Sequence, residues 1–356
     1  MELPPLDTEY LLDVLVRLLN TPSPTGLAEP AVALVEKELA SLRTLTLRRT
    51  RKGALVAAWK GRKSEGTKTA GPATPRALTA HVDTLGAMVK EIKSNGRLKL
   101  TKIGGFAWNT VEGEGCWVLT ASGNRVRGAL LLAKASGHVH GAAVTKTKRE
   151  DSTMEVRLDA MTTSAEETRA LGIEVGDFVV FDPRVEQTEG FIRSRHLDDK
   201  ACVACLLAAV KALHAAGLDP AQDTYLHISN YEEVGHGAAA GIPPQVQELV
   251  TVDMAAVGKG QASDEFHATL CAKDSGGPYH ADLNAKLLAL AREHQIPFKV
   301  DIYPYYGSDG EAFWRAGGDL QVSLIGPGVD ASHNYERTHT RALEATANWI
   351  MAYLLS

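Results

Sequence analysis

Apolar residues recur at helical spacing in several segments of the chain. Asp7 or Thr8 can cap the first helix, and Pro22 ends it. Pro30, a favourable residue in the first turn of a helix, marks the start of the second. Later segments with the same periodicity cover 199–216, 281–294 and 340–354. Long helices are therefore expected in both halves of the chain.

Short apolar runs between these helices predict strands. They are 54–59, 76–83 and 249–254, together with YLHISNYEEV, EFHATLCAKD, FKVDIY and DLQVSLIG. The polar segment 61–75 has no periodicity and is expected to be an exposed, mobile hairpin loop. The alternation of strands with helices predicts an α/β fold.

The stretch from about 88 to 192 has a different pattern, because short strand-like pieces alternate there with glycine-rich turns. We expect one short helix within it, where Ser164 and Glu167 form a capping box and Gly172 ends the helix. Closely spaced strands predict a small β-barrel or β-sandwich. The expected organisation is an α/β domain at 1–87 and 191–356 with an inserted β-rich domain at 88–190.

Composition excludes several classes of function. The 356 residues include 38 Lys and Arg against 43 Asp and Glu, and the net charge of −5 argues against a nucleic-acid or anionic-membrane binder. No apolar run approaches the ~18–20 residues of a membrane span, and the acidic N-terminus lacks the pattern of a signal peptide. The four cysteines are too few for a disulfide framework. These features predict a soluble, cytoplasmic protein.

Side chains that can bind metal ions follow the ends of the predicted strands. In chain order they are His81, Asp83, Asp198, Asp199, Glu232, Glu233, Asp253, His333 and His339. Ligands of open α/β sheets gather at the carboxyl ends of strands, so these side chains can converge on one site. Because buried carboxylates without partners are costly, a cluster of four or five requires a cation. Two imidazoles with three carboxylates suit a pair of divalent ions such as Zn, Co or Mn.

Two local patterns refine this expectation. Residues two apart on a strand point the same way, so Asp83 can hydrogen-bond the second ring nitrogen of His81. Glu232 and Glu233 are adjacent, and on a strand they would point to opposite sides. A kink or loop after Tyr231 must therefore bring both glutamates to the site.

The motifs HVD, LDDK, EEVG, TVD and SHNYE, in this order over nearly the whole chain, resemble those of the M42 family. These are co-catalytic metallo-aminopeptidases and include the tetrahedral aminopeptidases. More narrowly, KASGH, SRHLDDKA and ASHNYERTH resemble an M42 subgroup associated with bacterial gene clusters for a glutamine-dipeptide-amide osmoprotectant. The resemblance implies a mixed-sheet catalytic domain of the zinc-peptidase type, with an inserted small β-barrel.

The resemblance also implies a set of metal ligands. Asp198 would bridge two divalent ions. His81 and Asp253 would complete one metal site, and Glu233 and His333 would complete the other. The implied cofactors are thus two ions per subunit.

Further roles are implied for residues around these ligands. Glu232 would be the general base, and Asp83 would orient His81. A cis peptide bond is implied between Asp198 and Asp199. The inserted domain is implied to mediate assembly into a homo-oligomer, based on dimers and extending to a dodecamer.

The sequence departs from the family pattern near the substrate. Cys202 stands where the family usually has glycine, and His236 stands where a smaller residue is more usual. The segment YYGSDG occupies the region of the family's GGTDA motif, where Asp309 and Glu311 either face the substrate amine or cap the following helix. The departures leave the substrate preference open.

Other metal-binding residue types have simpler interpretations. Cys202 and Cys205 form a CxxC pattern but lie one turn apart in an apolar helix, which favours core packing over redox or zinc chemistry. His138 and His140 lie in the inserted domain, where a polar surface is the favoured interpretation. His196 is expected close behind the ligands or in the pocket wall.

Three functional hypotheses follow. The first is a dinuclear metal-dependent aminopeptidase that removes N-terminal residues from short peptides. The second keeps the metal chemistry but hydrolyses a modified dipeptide or small amide linked to osmoprotectant metabolism. The third is a non-catalytic scaffold, against which the complete set of candidate ligands argues.

Overall fold

The computed structural model describes residues 2–42, 44–62 and 74–356. It divides into two compact units, one formed by residues 1–83 and 185–356 and the other by residues 84–184. The second unit begins and ends a few residues before the limits of 88 and 190 expected for the insertion. Residues 63–73 of the predicted hairpin loop lie outside the described residues.

Among the described residues, the first unit contains six α-helices. They are α1 (Thr8–Leu19), α2 (Glu29–Ala40), α6 (Leu197–Ala215), α7 (Ala281–Glu293), α8 (Asp309–Arg315) and α9 (Thr340–Leu355). Asp7 caps α1 by accepting a 3.0 Å hydrogen bond from the backbone N–H of Tyr10. Helix α6 is rich in alanine and leucine on all sides, and it is buried against α1 and α9.

The same unit contains a twelve-stranded mixed sheet. Its strands are β1 (Leu45–Arg49), β2 (Leu55–Trp59), β3 (Arg76–His81), β10 (Glu186–Thr188), β11 (Phe191–Ser194), β12 (Thr224–Ser229), β13 (Glu248–Val252), β14 (Ala255–Val257), β15 (Ala268–Lys273), β16 (Phe298–Ile302), β17 (Gln321–Asp330) and β18 (Glu336–His339). The main path of the sheet runs β1-β2-β12-β3-β13-β17-β18-β11-β10. The prediction of an α/β fold is confirmed.

At the centre of the sheet, β12, β3, β13 and β17 lie side by side in this order. Each adjacent pair among these four strands is parallel. The predicted hairpin between 54–59 and 76–83 is wrong, because β12 lies between β2 and β3 and pairs with both. The sequence could not reveal this arrangement, since β12 is separated from the two strands by more than a hundred residues. Its consequence is that β3, β12 and β13 end at the same edge of the sheet.

The second unit is a closed barrel of six strands, β4-β5-β8-β7-β6-β9. They are β4 (Gly86–Ile92), β5 (Leu98–Ile103), β6 (Gly115–Leu119), β7 (Arg125–Leu132), β8 (Met154–Leu158) and β9 (Phe178–Phe181). The predicted capping box of Ser164 and Glu167 is confirmed at the start of α5 (Ala165–Ala170), which ends before Gly172 (φ 84°). The expectation of a single helix here is wrong, because two further short helices, α3 (Gly137–His140) and α4 (Ala143–Lys146), follow β7.

Within the described residues, every helix is too short or too polar to cross a membrane.

Candidate metal centre

Three parallel strands deliver candidate ligands to one edge of the sheet. His81 is the last residue of β3, Asp253 directly follows β13, and Glu232 and Glu233 follow β12. Because β3 pairs in parallel with both β12 and β13, their carboxyl ends are adjacent. The parallel arrangement therefore explains why residues far apart in the chain meet.

The two glutamates leave the strand through a sharp turn. Tyr231 has a left-handed backbone (φ 73°), and Glu232–Val234 form one turn of 3₁₀ helix that ends at Gly235 (φ 81°). Adjacent side chains are roughly 120° apart in a 3₁₀ turn, instead of pointing to opposite sides as on a strand, so both glutamates can reach the site. The expected kink is confirmed, and it lies at Tyr231 itself.

Two further candidate ligands, Asp198 and His333, lie outside the ends of these three strands. Asp198 lies at the start of α6, where its backbone is not helical, and the peptide bond between Asp198 and Asp199 is cis as expected. The carboxylate of Glu336 accepts hydrogen bonds from the backbone N–H of Asp198 (3.1 Å) and of His333 (3.0 Å). Glu336 is not among the candidate residues predicted from the sequence, although its position three residues after His333 in SHNYE is the signal for it.

Donor atoms form two groups that share Asp198. One group is His81, Asp198 and Asp253, the other is Asp198, Glu233 and His333, and within each group the atoms lie within 4.8 Å of one another. Nε2 of His81 lies 3.2 Å from Oδ1 of Asp198, and Nε2 of His333 lies 3.4 Å from Oδ2 of the same carboxylate. Each oxygen of Asp198 therefore faces a different imidazole.

The donor set fits divalent metal ions. Nε2 of His81 is buried and lacks a hydrogen-bond partner of acceptable geometry among the described residues, although Asp198 is close. A buried polar atom without a partner is rare in proteins, whereas a lone pair aimed between carboxylate oxygens is what a metal ligand requires. Imidazole and carboxylate donors in groups of three suit transition-metal sites.

Asp83 contacts His81 through its backbone carbonyl oxygen, whereas the sequence predicts a contact through its side chain. Nδ1 of His81 lies 2.9 Å from the backbone carbonyl oxygen of Asp83, while the nearer carboxylate oxygen is 3.6 Å away. The Asp83 carboxylate instead accepts hydrogen bonds from the Thr25 hydroxyl (2.6 Å) and from the backbone N–H groups of Glu232 (3.2 Å) and Glu233 (3.4 Å). Asp83 thus fixes both the imidazole and the backbone of the two glutamates.

Burial changes the ionisation of the acidic side chains in the centre. It raises the pKa values of Glu232 and Glu233 well above the ordinary range, and the charges of neighbouring carboxylates add to the effect. Burial, followed by the charge of Asp198, raises the pKa of Asp253 to about 7. So many buried acids cannot all ionise without a compensating cation.

The pKa values of His81 and of the shared Asp198 shift in the directions that favour their charged forms. Burial alone would lower the pKa of His81, but the charges of Glu232 and Asp198 outweigh it and raise that pKa well above its usual value. Burial would raise the pKa of Asp198, but His333 and His81 overcome it and lower that pKa. The negative charge of the centre is therefore concentrated at Asp198, between the two imidazoles.

A cleft of about 340 Å³ opens onto the centre. Its lining includes five residues of the centre (Asp198, Glu232, Glu233, Asp253 and His333) and four others (Tyr305, Tyr306, Ser308 and Arg315). The Arg315 guanidinium forms a 2.9 Å ion pair with Glu311 one helical turn earlier.

Comparison with known proteins identifies the family. The family model described as M42 glutamyl aminopeptidase matches residues 58–349 of this chain. The chain belongs to the M42 peptidase family. It is also 46% identical to YhfE of Bacillus subtilis, itself named only as a candidate aminopeptidase, over 97% of both chains. The family membership predicted from the sequence motifs is confirmed, and this M42 protein is an enzyme of the peptidase class.

Solved structures of an aminopeptidase and of a TET peptidase share its fold. An aminopeptidase from Desulfurococcus kamchatkensis matches with a TM-score of 0.84 at 22% identity, over 98% of this chain and 95% of that one. The TET1 peptidase of Pyrococcus horikoshii, described as assembling into a tetrahedron or a large octahedral shell, matches with a TM-score of 0.82 at 21% identity, over 97% and 99%. The expected combination of a mixed-sheet domain with an inserted barrel is confirmed.

M42 aminopeptidases are metal-dependent, and among the described residues the two donor groups above are those that could hold metal ions. The predicted candidates outside these groups include His339 and His138. His339 caps α9, where its Nδ1 accepts a 3.1 Å hydrogen bond from the backbone N–H of Arg341. His138 is exposed on the second unit.

Three further residues singled out in the sequence of this M42 protein, Cys202, Cys205 and His196, lie outside the donor groups. Cys202 and Cys205 are free, fully buried thiols in the main hydrophobic core, as the packing interpretation predicts. His196 is half-buried directly before α6. Desolvation of its imidazole, aided by the charges of Lys200 and Arg195, lowers its pKa well below the usual value. It is therefore a neutral imidazole, and it belongs to neither donor group.

Proposed function

We propose that this protein is a dinuclear metal-dependent aminopeptidase that removes N-terminal residues from short peptides. The observation that carries the proposal is the shared carboxylate of Asp198, whose two oxygens face His81 (3.2 Å) and His333 (3.4 Å) separately. A carboxylate that bridges two ions must present one oxygen to each. Family membership supports the peptidase reaction.

In this proposal His81, Asp198 and Asp253 hold one divalent ion, and Asp198, Glu233 and His333 hold the other. Zn, Co and Mn are the ions that such imidazole and carboxylate donors suit. When bound, a pair of ions polarises the scissile carbonyl and lowers the pKa of water. The protein's own contribution is to fix the ligands, for which the two hydrogen bonds accepted by Glu336 are suited.

Glu232 is the proposed general base. It belongs to neither donor group, yet its carboxylate lies 3.6 Å from the Nε2 atom of His81 and lines the cleft. A buried carboxylate with a raised pKa is suited to take a proton from the attacking water and pass it to the leaving amine. Asp83 positions both groups. Its carboxylate accepts a hydrogen bond from the backbone N–H of Glu232, and its backbone carbonyl oxygen contacts Nδ1 of His81.

The small cleft favours short substrates and also supports a second candidate function. A volume of about 340 Å³ lies at the lower end of the range for small-molecule sites, which is roughly 300–1,000 Å³. A modified dipeptide or another small amide linked to osmoprotectant metabolism fits this size as well as a short peptide does. The two candidates differ in whether the substrate must carry a free N-terminal amine.

The remaining expectations concern assembly and location. We propose a homo-oligomer, built from dimers and extending to a dodecamer, in which the barrel unit forms the main contact. None of the proposed ligands lies in residues 84–184, and Met161, Val139 and Val175 of this unit are exposed apolar side chains. The four free thiols are compatible with the expected cytoplasmic location.

The proposal is tested by metal analysis and a substrate panel. Purified protein is stripped, reconstituted with Zn, Co or Mn, and assayed on aminoacyl-anilides, short peptides and N-blocked dipeptide amides. We expect close to two ions per chain and cleavage only of substrates with a free amine. Cleavage restricted to blocked dipeptide amides would support the second candidate, and absence of bound ions with absence of cleavage would refute both.

A further inference from the structure

We propose that Asp309 is a positioning residue that holds the loop after Glu233 against the strand that carries His81. The inference about catalysis rests on the function proposed above, whereas the inference about the loop rests on contacts alone. Asp309 is the first residue of α8 and only 1% exposed. A buried carboxylate is retained in a fold only where its oxygens are satisfied.

Both oxygens of Asp309 accept hydrogen bonds from elements of the metal centre. Oδ1 accepts one from the backbone N–H of Ala238 (2.7 Å), and Oδ2 accepts one from the Thr79 hydroxyl (2.9 Å). Thr79 lies two residues before His81 on β3. Both oxygens of Asp309 thus contact the fold itself, whereas its interpretation as a partner of the substrate amine stays a prediction.

His227 extends the network to a third element. Its Nδ1 lies 3.0 Å from the Thr79 hydroxyl oxygen. Since the single hydroxyl proton of Thr79 is donated to Asp309, Nδ1 of His227 must carry a proton and donate it to Thr79. Burial lowers the pKa of His227 to about 4, so the imidazole is neutral. His227 lies on β12, the strand that leads to the two glutamates.

The loop itself is shaped for this contact. A Cβ atom at Gly237 would lie 1.6 Å from Oδ1 of Asp309, so only glycine allows the backbone to approach this closely. On the same stretch, Nζ of Lys52 donates hydrogen bonds to the backbone carbonyl oxygens of His236 and Gly237. Residues 236–238 are therefore anchored by a carboxylate and by an ammonium group.

These contacts connect the loop to catalysis. Asp83 holds the backbone N–H groups of Glu232 and Glu233, and Asp309 holds the stretch that follows them. Removal of the Asp309 acceptor releases one end of the segment. A displacement of about 1 Å in a catalytic group can lower the rate ~10²-fold, so the loss should appear in kcat rather than in substrate binding.

The test compares three variants and one control. Asp309→Ala removes both acceptor oxygens. Thr79→Val removes only the hydroxyl at nearly constant shape, and Thr79→Ser retains it. Asp177→Ala is the matched control, because Asp177 is also a buried carboxylate that accepts two hydrogen bonds, both from backbone N–H groups, but lies in the other unit. For each protein we measure bound metal per chain, kcat, KM, and hydrogen exchange of the amides at 235–240.

We expect Asp309→Ala and Thr79→Val to bind metal as the wild type does, to exchange faster at 235–240, and to lose 10- to 100-fold in kcat with little change in KM. Thr79→Ser and Asp177→Ala should keep the wild-type kcat and loop exchange. Unchanged loop exchange, or a loss of kcat in proportion to a loss of metal, would overturn the proposal. If the wild type cleaves no peptide, the proposed function fails, and loop exchange alone still decides for or against the anchor.

Discussion

Glu232 and Glu233 are neighbours with the same side chain, yet the structure separates their roles. Glu233 belongs to the donor group with Asp198 and His333, and its carboxylate lies 3.7 Å from Nε2 of His333. Glu232 belongs to neither group. The isosteric substitutions Glu232→Gln and Glu233→Gln should therefore have different effects on metal content, although both should lower the rate.

The size of each effect follows from these positions. Glu232→Gln keeps both donor groups intact but removes the proton acceptor, which is worth ~10²–10⁴ in kcat, or about 3–5 kcal/mol of activation free energy. Glu233→Gln removes the negative oxygen from one group and leaves Asp198 and His333. Substitution of a residue that hydrogen-bonds a metal ligand typically lowers metal affinity about 10–100-fold. Loss of a ligand itself should have at least this effect, so the metal content should fall toward one ion per chain.

The assay combines plasma mass spectrometry of the metal with kcat and KM measured at saturating free metal. Glu91→Gln is a suitable control, because Glu91 is an exposed glutamate of the barrel unit. Full activity in Glu232→Gln would refute the base assignment. Loss of metal in Glu232→Gln together with full metal content in Glu233→Gln would mean that the two roles are reversed.

Burial raises the pKa of Asp253 to about 7 and that of Glu336 to about 8. In the metal-free protein the stabilising contribution of these two groups is therefore complete below about pH 4. It is lost as the pH rises toward about 8, because the unfolded chain then gives up these protons more readily than the folded protein does. Urea unfolding of chelator-treated protein at pH 5 and pH 8 should show this loss, and added metal should largely abolish it; equal stability at both pH values would contradict the reasoning. Cys202→Ala and Cys205→Ala should each cost about 1 kcal/mol of stability and leave kcat unchanged, whereas a kcat that responds to thiol oxidants would contradict core packing. Light scattering should give a mass above that of one subunit, and a monomer would contradict assembly through the barrel.

Local structure and the set of candidate ligands could be predicted from residues that are neighbours along the chain. Helix caps such as Asp7 and Ser164 act within one turn, so the residues next to them suffice to predict them. The motifs around His81, Asp198 and His333 were visible as residue types at strand and helix ends. The switch from widely spaced to closely spaced strands near residue 88 marked the barrel, because strand spacing is a property of the chain itself.

The way in which these parts meet depends on long-range packing, which residues adjacent in the chain do not reveal. The insertion of β12 between β2 and β3 is a long-range pairing, and it places Glu232 and Glu233 beside His81. The contact of Nδ1 of His81 with the backbone carbonyl of Asp83 depends on chain direction after the strand, which side-chain alternation does not describe. Hydrogen bonds from distant backbone atoms likewise give Asp309 its partners. Local patterns depend on neighbours in the chain, whereas the centre depends on atoms that only the packed sheet brings together.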